Sequence, residues 1–210
     1  MGEQRRERAD AARNRQAILR AAEQLLAENE PEHVSVEQVA AVAGVAKGTV
    51  FQRFGSRMGL LRALVENRAH ALQAAAAEGP PPLGPEAPAL QRLVAFLDAL
   101  LELAIRNIGL ITAHDHAIAT QKNNDHSRQA NPIYQQWHTH VATLITECRP
   151  DLDADTLAHL LLGSLHSDLI AYQLRRGETG RLTDALRQLV TALLTSPGPA
   201  PRDDRSQVGT

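Results

Sequence analysis

Catalysis and metal binding both require ligating, acid–base or nucleophilic side chains to converge, and in this 210-residue chain the nine histidines are the first place to look. The densest groups are His114-Asp115-His116 and His138-Thr139-His140. Residues two apart on a helix point about 200° apart, so neither His-x-His pair chelates from one straight helix. His159 and His166 share a face but stand two turns apart. There is no His-Glu-x-x-His and only one cysteine, Cys148, so the familiar zinc spacings are missing. No nucleophile elbow, phosphate loop or dinucleotide fingerprint occurs. The expectation is no metal, no cofactor and no enzyme. The alternative left open is a helical hydrolase-like enzyme or metal-binding protein built on His114, Asp115 and His138.

A different chemistry is legible in Ser35–Leu61, SVEQVAAVAGVAKGTVFQRFGSRMGLL. Ser35 followed by Gln38 is a capping box, and Val34 with Val39 is spaced for a hydrophobic staple. Gly44 supplies the left-handed residue that ends a helix. A short helix over about Lys47–Phe54 follows, and small or apolar Ala40, Gly44 and Val50 allow the two helices to cross closely. That is a helix-turn-helix, whose second helix enters the DNA major groove.

The stretch Ala43-Gly44-Val45-Ala46-Lys47-Gly48-Thr49-Val50-Phe51, with Phe54, Ser56-Arg57 and Leu60-Leu61, resembles the amino-terminal domain of the TetR family of transcriptional regulators. The resemblance covers about residues 13–65 at motif level; beyond that, helix pattern and length agree. It departs from the family pattern at Ala46, where a capping Ser is usual, at Phe51, where Tyr is usual, and at Gly59, where an acid is usual. On this helix Lys47, Gly48, Thr49, Gln52 and Arg53 supply the short side chains and polar ends that base edges and phosphates require. Phe51 is placed to pack on sugar or a thymine methyl, and Ser35 and Arg57, near helix amino termini, are the expected phosphate clamps. Val50 and Phe54 face inward.

Net charge is only −2, but it is unevenly spread. Residues 1–70 carry eleven Lys or Arg against nine Asp or Glu, whereas the remainder carries eleven against fifteen. A basic head on an acidic body is an electrostatic footprint for DNA; the bland alternative is a solvated charged surface. Aromatic residues are 3% of the chain, so the core is Leu, Ala, Val and Ile, and the fold class is all-α with about nine helices. The lone cysteine excludes an intrachain disulfide and fits a reducing cytoplasm. No apolar run reaches the roughly 18 residues that span a bilayer.

The elements that must position the motif follow from apolar spacing and breakers. Residues 1–10 read as a disordered charged arm, 11–56 as the helix-turn-helix domain, 57–196 as an effector-binding and dimerisation domain with the fourth helix as connector, and 197–210 as a disordered tail. Helices are expected over about 11–29, the two of the motif, 57–77, 88–107, 108–120, 132–149, 153–176 and 181–195, with loops at 78–89 and 121–130.

The resemblance implies an effector pocket enclosed by helices four to seven. Candidate lining residues are Phe96, Leu100, Ile111, His114, Asp115, Ile118, Tyr134, Trp137, His138 and Val141, each of which has core filling as its alternative. Tyr134 and His138, at i and i+4, are placed to orient a polar group on a ligand. The last two helices carry wide apolar stripes, among them Leu157, Leu161, Leu165 and Leu169, then Leu186, Leu189 and Leu193. These serve either as internal core or as the two-fold interface the resemblance implies, which would set two heads on major grooves one turn apart. The expected partners are a double-stranded DNA operator, a second copy of the chain and a small organic effector, with no membrane.

Overall fold

The computed structural model describes residues 2–118, 131–165 and 168–196. Among them the chain is all helix. In order come α1 (Gly2–Glu28), a 3-10 turn (Pro31–His33), α2 (Val36–Ala43), α3 (Lys47–Phe54), α4 (Arg57–Glu78), α5 (Ala89–Ile118), α6 (Pro132–Cys148), α7 (Ala154–Leu165), α8 (Asp168–Arg175) and α9 (Thr179–Thr195).

Three expectations are corrected by the structure. Residues 2–10, expected as a disordered arm, are the first turns of α1; GEQRRERADAARNR is rich in the strong helix formers Ala, Arg, Glu and Gln and lacks a breaker after Gly2. The helices expected over 88–107 and 108–120 are one helix, α5, because neither proline nor a cap interrupts it and an internal Gly109 costs only about 1 kcal/mol. Of the helix expected over 153–176, the structure describes α7 and α8, and residues 166–167 between them lie outside the described residues. The head also continues past residue 56. The loop expected over 121–130 and the tail over 197–210 lie outside the described residues.

The side chains form two hydrophobic cores. The first joins Ile18, Leu19, Ala21 and Ala22 of α1, Val36, Val39 and Ala40 of α2, Val50 of α3, and Leu60, Ala63 and Leu64 of α4. The second is built on Leu93, Phe96, Leu97, Leu100 and Leu101 of α5, packed with residues of α6 to α9. Ala69 and Ala76 of α4 belong to this second core. One helix therefore runs through both, its first two turns inside the head and its later turns inside the body. Gly79 to Pro88 turns the chain from α4 into α5. α9 is fastened to the body by Arg187 on Asp98 at 2.9 Å and by Arg149, whose guanidinium donates to the Leu193 carbonyl at 3.2 Å.

Candidate nucleic-acid interface

The short second helix of the motif is held in place by local chemistry. Ser35 Oγ accepts from the Gln38 N–H at 3.2 Å, and Gln38 Oε1 accepts from the Ser35 N–H at 2.8 Å, a closed capping box. Val34 and Val39 are both buried in the head core. Gly44 ends α2 at φ 68°, a left-handed conformation that glycine adopts without strain. The space beside its Cα is open, so the glycine serves the turn and not, as its spacing suggested, a close helix crossing.

α3 begins at Ala46 without a side-chain cap, which leaves first-turn N–H groups for an external acceptor. Val50 is buried and Phe54 packs at the margin of the same core, with the Arg15 guanidinium 5.9 Å from its ring centroid. The opposite face presents Lys47, Gly48, Phe51, Gln52 and Arg53 to solvent, with Thr49 half-buried beside them. Phe51 is 40% exposed, an unusual position for a phenyl ring on a water-facing helix. The Lys47 ammonium lies 5.6 Å from the Phe51 ring centroid and pairs with Glu37, whose carboxyl is held below its ordinary range chiefly by that hydrogen bond. A Cβ on Gly48 would touch nothing, so this backbone is open to close approach.

Arg57, expected as a phosphate clamp, is turned inward. Its Nε donates to the Val34 carbonyl at 2.9 Å and its terminal nitrogen to the Pro31 carbonyl. It ties the start of α4 to the segment before α2, and two of its five N–H donors satisfy backbone groups that would otherwise be left without partners. Gly59, which departs from the family pattern, also has a structural reason. Its N–H donates to Ser56 Oγ at 3.0 Å, and a Cβ there would stand 1.9 Å from the Phe54 carbonyl oxygen. The turn between α3 and α4 folds onto α4 so closely that only glycine fits.

The head is joined to the body at Arg68 of α4. Its guanidinium forks onto Glu23 of α1, with both N–O distances 2.6 Å, and also donates to Asn107 Oδ1 on α5. Arg68 is 11% exposed and Asn107 2%, so the junction is largely shielded from water. Neither composition nor periodicity marked Arg68 or Asn107 as partners, since they lie 39 residues apart on different helices.

In the body, Phe96, Leu100, Tyr134, Trp137 and Val141 are brought together, but as packed members of the second core. His138 leaves them and faces α7, where its Nε2 is 3.1 Å from the Asp155 carbonyl oxygen. Tyr134 Oη is 2.8 Å from His159 Nδ1. The side chains of Ile111, His114, Asp115 and Ile118 lie outside the described residues, although their backbone belongs to α5. His140, which sequence spacing set aside, lies edge-on to Phe96 with centroids 4.7 Å apart. Burial and the nearby Arg92 lower its basicity. Its Nε2, the Trp137 indole N–H and Gln73 Oε1 are buried without hydrogen-bond partners, the mark of a region between α4, α5 and α6 that is not chemically closed.

The apolar stripes also divide differently from expectation. Leu161 and Leu165 point into the core, and Leu157, Leu186 and Leu193 are partly buried against it. The outward positions are Leu160, 63% exposed, Leu189, 59%, and Tyr172, 53%. The Leu169 side chain lies outside the described residues. No described helix is long and apolar enough to cross a membrane.

Residues 18–64, from the first core residues of α1 to Leu64 of α4, match the family model for bacterial regulatory proteins of the tetR family. The fold is shared with a TetR transcriptional regulator from Streptomyces coelicolor, at 22% identity and TM-score 0.59, covering 88% of this chain and 99% of that one. A TetR-family regulator from Pectobacterium atrosepticum gives 20% identity and TM-score 0.61 over 90% and 98% of the two chains. FadR from Bacillus subtilis, solved in complex with stearoyl-CoA, gives 20% and 0.55 over 83% and 96%. No curated protein is similar enough to stand as a relative. With a closed capping box and an exposed second helix, the head matches the family model of tetR-type bacterial regulatory proteins, and the chain as a whole shares the fold of TetR-family transcriptional regulators.

Proposed function

We propose that the protein is a ligand-responsive repressor acting as a homodimer on a palindromic operator. The observation that supports this reading best is the two-sided character of α3, with Val50 buried and Lys47, Gln52 and Arg53 exposed. Gln52 pairs bidentately with adenine and Arg53 reaches guanine or phosphate. Lys47, Thr49 and the open backbone at Gly48 take the sugar-phosphate, Phe51 packs on a thymine methyl, and the Ser35 hydroxyl donates to a phosphate at the start of α2. The basic head on an acidic body favours this end of the molecule for DNA.

Residues 57–196 form the effector-binding and dimerisation region, with α4 as connector. A small organic effector enters between α4, α5 and α6, where Trp137 and Gln73 have polar atoms to satisfy. FadR from Bacillus subtilis, of the same fold, was solved in complex with stearoyl-CoA, a precedent that supports an organic ligand here. The second copy packs across Leu160 and Leu189. The effector moves α5, and Arg68 passes the shift to α1 and α4, changing the spacing of two heads. A ligand shifts this equilibrium only by its differential affinity for the two states. Selection of bound genomic fragments tests the reading. Enrichment of one pseudo-palindrome with half-sites about one turn apart supports it; recovery of fragments without a shared motif, or binding by a monomer, contradicts it.

A further inference from the structure

Four polar side chains converge between α6 and α7 in a place the DNA-binding reading does not use. Tyr134 and His138 stand at i and i+4 on α6, and Asp155 and His159 stand at i and i+4 on α7. The two pairs face each other. The His138 and His159 rings have centroids 3.9 Å apart, and His138 Nε2 is 3.6 Å from Asp155 Oδ1. One ligating atom from each of His138, Asp155 and His159 lies within 4.8 Å of the others. An open cleft lined by Tyr134, Gln135, His138, Thr139 and His159 leads to them from solvent.

We propose that His138, Asp155 and His159 form a binding site for a divalent transition-metal ion of the zinc class. Two imidazoles and one carboxylate are the donor set such ions take, with a fourth, open position for water. Ligand atoms around a tetrahedral ion with bonds of about 2.0–2.2 Å sit about 3.5 Å apart. The His138–Asp155 separation already matches that, and Asp155, whose side chain is 77% exposed, has room to adjust. Tyr134 supplies the supporting contact that ligating histidines require: with His159 Nδ1–H donating to Tyr134 Oη, the lone pair of His159 is on Nε2. Moving the His138 proton to Nδ1 frees its Nε2 lone pair for the ion, which takes the place of the Nε2–H bond to the Asp155 carbonyl oxygen. Each imidazole binds as the neutral ring, so the site needs no charge other than the Asp155 carboxylate. A bound ion clips α6 to α7. The pairing escaped sequence spacing because the ligands come one and two from different helices.

The test uses the full chain without a polyhistidine tag, titrated with Zn²⁺ by calorimetry and with Co²⁺ by visible absorption. The expected result is one ion per chain at micromolar affinity and tetrahedral ligand-field bands. Asp155→Asn and His159→Gln should each weaken binding about tenfold or more, and Tyr134→Phe about tenfold, as loss of a supporting hydrogen bond does. His140→Gln, on the same helix but outside the cluster, should leave uptake unchanged. Asp155 is exposed, so its variant folds, and circular dichroism verifies the others. Absence of saturable uptake at micromolar Zn²⁺, or wild-type affinity in folded Asp155→Asn and His159→Gln, would overturn the proposal and place any uptake on other histidines.

Discussion

The head and the body solve the same packing problem by different means. The head is small, and its helices are placed by directional devices: a reciprocal cap at Ser35, a left-handed Gly44, a glycine-only approach at Gly59 and the inward fork of Arg57. The body relies on interdigitated Leu, Ala and Val side chains from five helices and part of α4. Directional devices fix one register and leave a rigid outer face, as a DNA-reading surface needs. Aliphatic packing lets helices shift without breaking a specific bond, as the proposed effector response requires. Arg68 and Asn107 are where the two regimes meet.

The largest expected effect separates core from surface within the body. Leu165→Glu places a charge in the second core and should cost about 4 kcal/mol or more, unfolding the body as followed by the lone Trp137. Leu189→Glu, on an exposed position, should leave helicity and midpoint nearly unchanged and instead abolish the dimer in sedimentation. Unfolding by Leu189→Glu, or a folded Leu165→Glu, would mean the α7 and α9 stripes are oriented otherwise.

The junction comes next. Arg68→Ala leaves the buried Asn107 amide without its partner and should cost about 1–3 kcal/mol. Beyond that loss, it should split denaturation so that circular dichroism, which reports both cores, and Trp137 fluorescence, which reports only the body, no longer coincide. Coincident transitions in the variant would show that α4 alone holds head and body together.

The smallest effect is a pH dependence confined to the body. His140 has its folded-state pKa lowered by burial and by Arg92, so the unfolded chain binds the proton more readily. Stability should therefore be full above the ordinary imidazole pKa and fall as pH drops through it toward the lowered value. His140→Gln should flatten that slope in urea midpoints measured from pH 7.5 to 5.5, whereas an unchanged slope would assign the acid sensitivity elsewhere.

The same contrast explains what could be read from the sequence. The capping box, the turn glycine and the buried Val50 are consequences of neighbours within a few residues, so their types and spacing announce them. Which of Leu160, Leu161 and Leu165 faces inward depends on how α7 rolls against α5 and α6, and all three are leucine, so no type difference separates them. The helices expected over 88–107 and 108–120 were separated for a related reason: no proline or cap lies between them, and they are one helix in α5. Arg57 looked like a phosphate ligand because its carbonyl partners, Val34 and Pro31, lie more than twenty residues earlier. The Tyr134–His138–Asp155–His159 cluster joins two helices and was invisible to spacing rules that act within one.

The most direct measurement of the central claim is fluorescence anisotropy of the selected operator with wild type, Lys47→Ala, Gln52→Ala and the double variant, across a salt series. The expected result is a steep loss of wild-type affinity with rising salt. Lys47→Ala should weaken all duplexes and lower the salt slope, and Gln52→Ala should cost about 1–3 kcal/mol on the cognate sequence while relaxing preference at one base position. Equal affinity of wild type and a folded Lys47→Ala/Gln52→Ala variant for the operator would contradict the assignment of α3 as the helix that reads DNA.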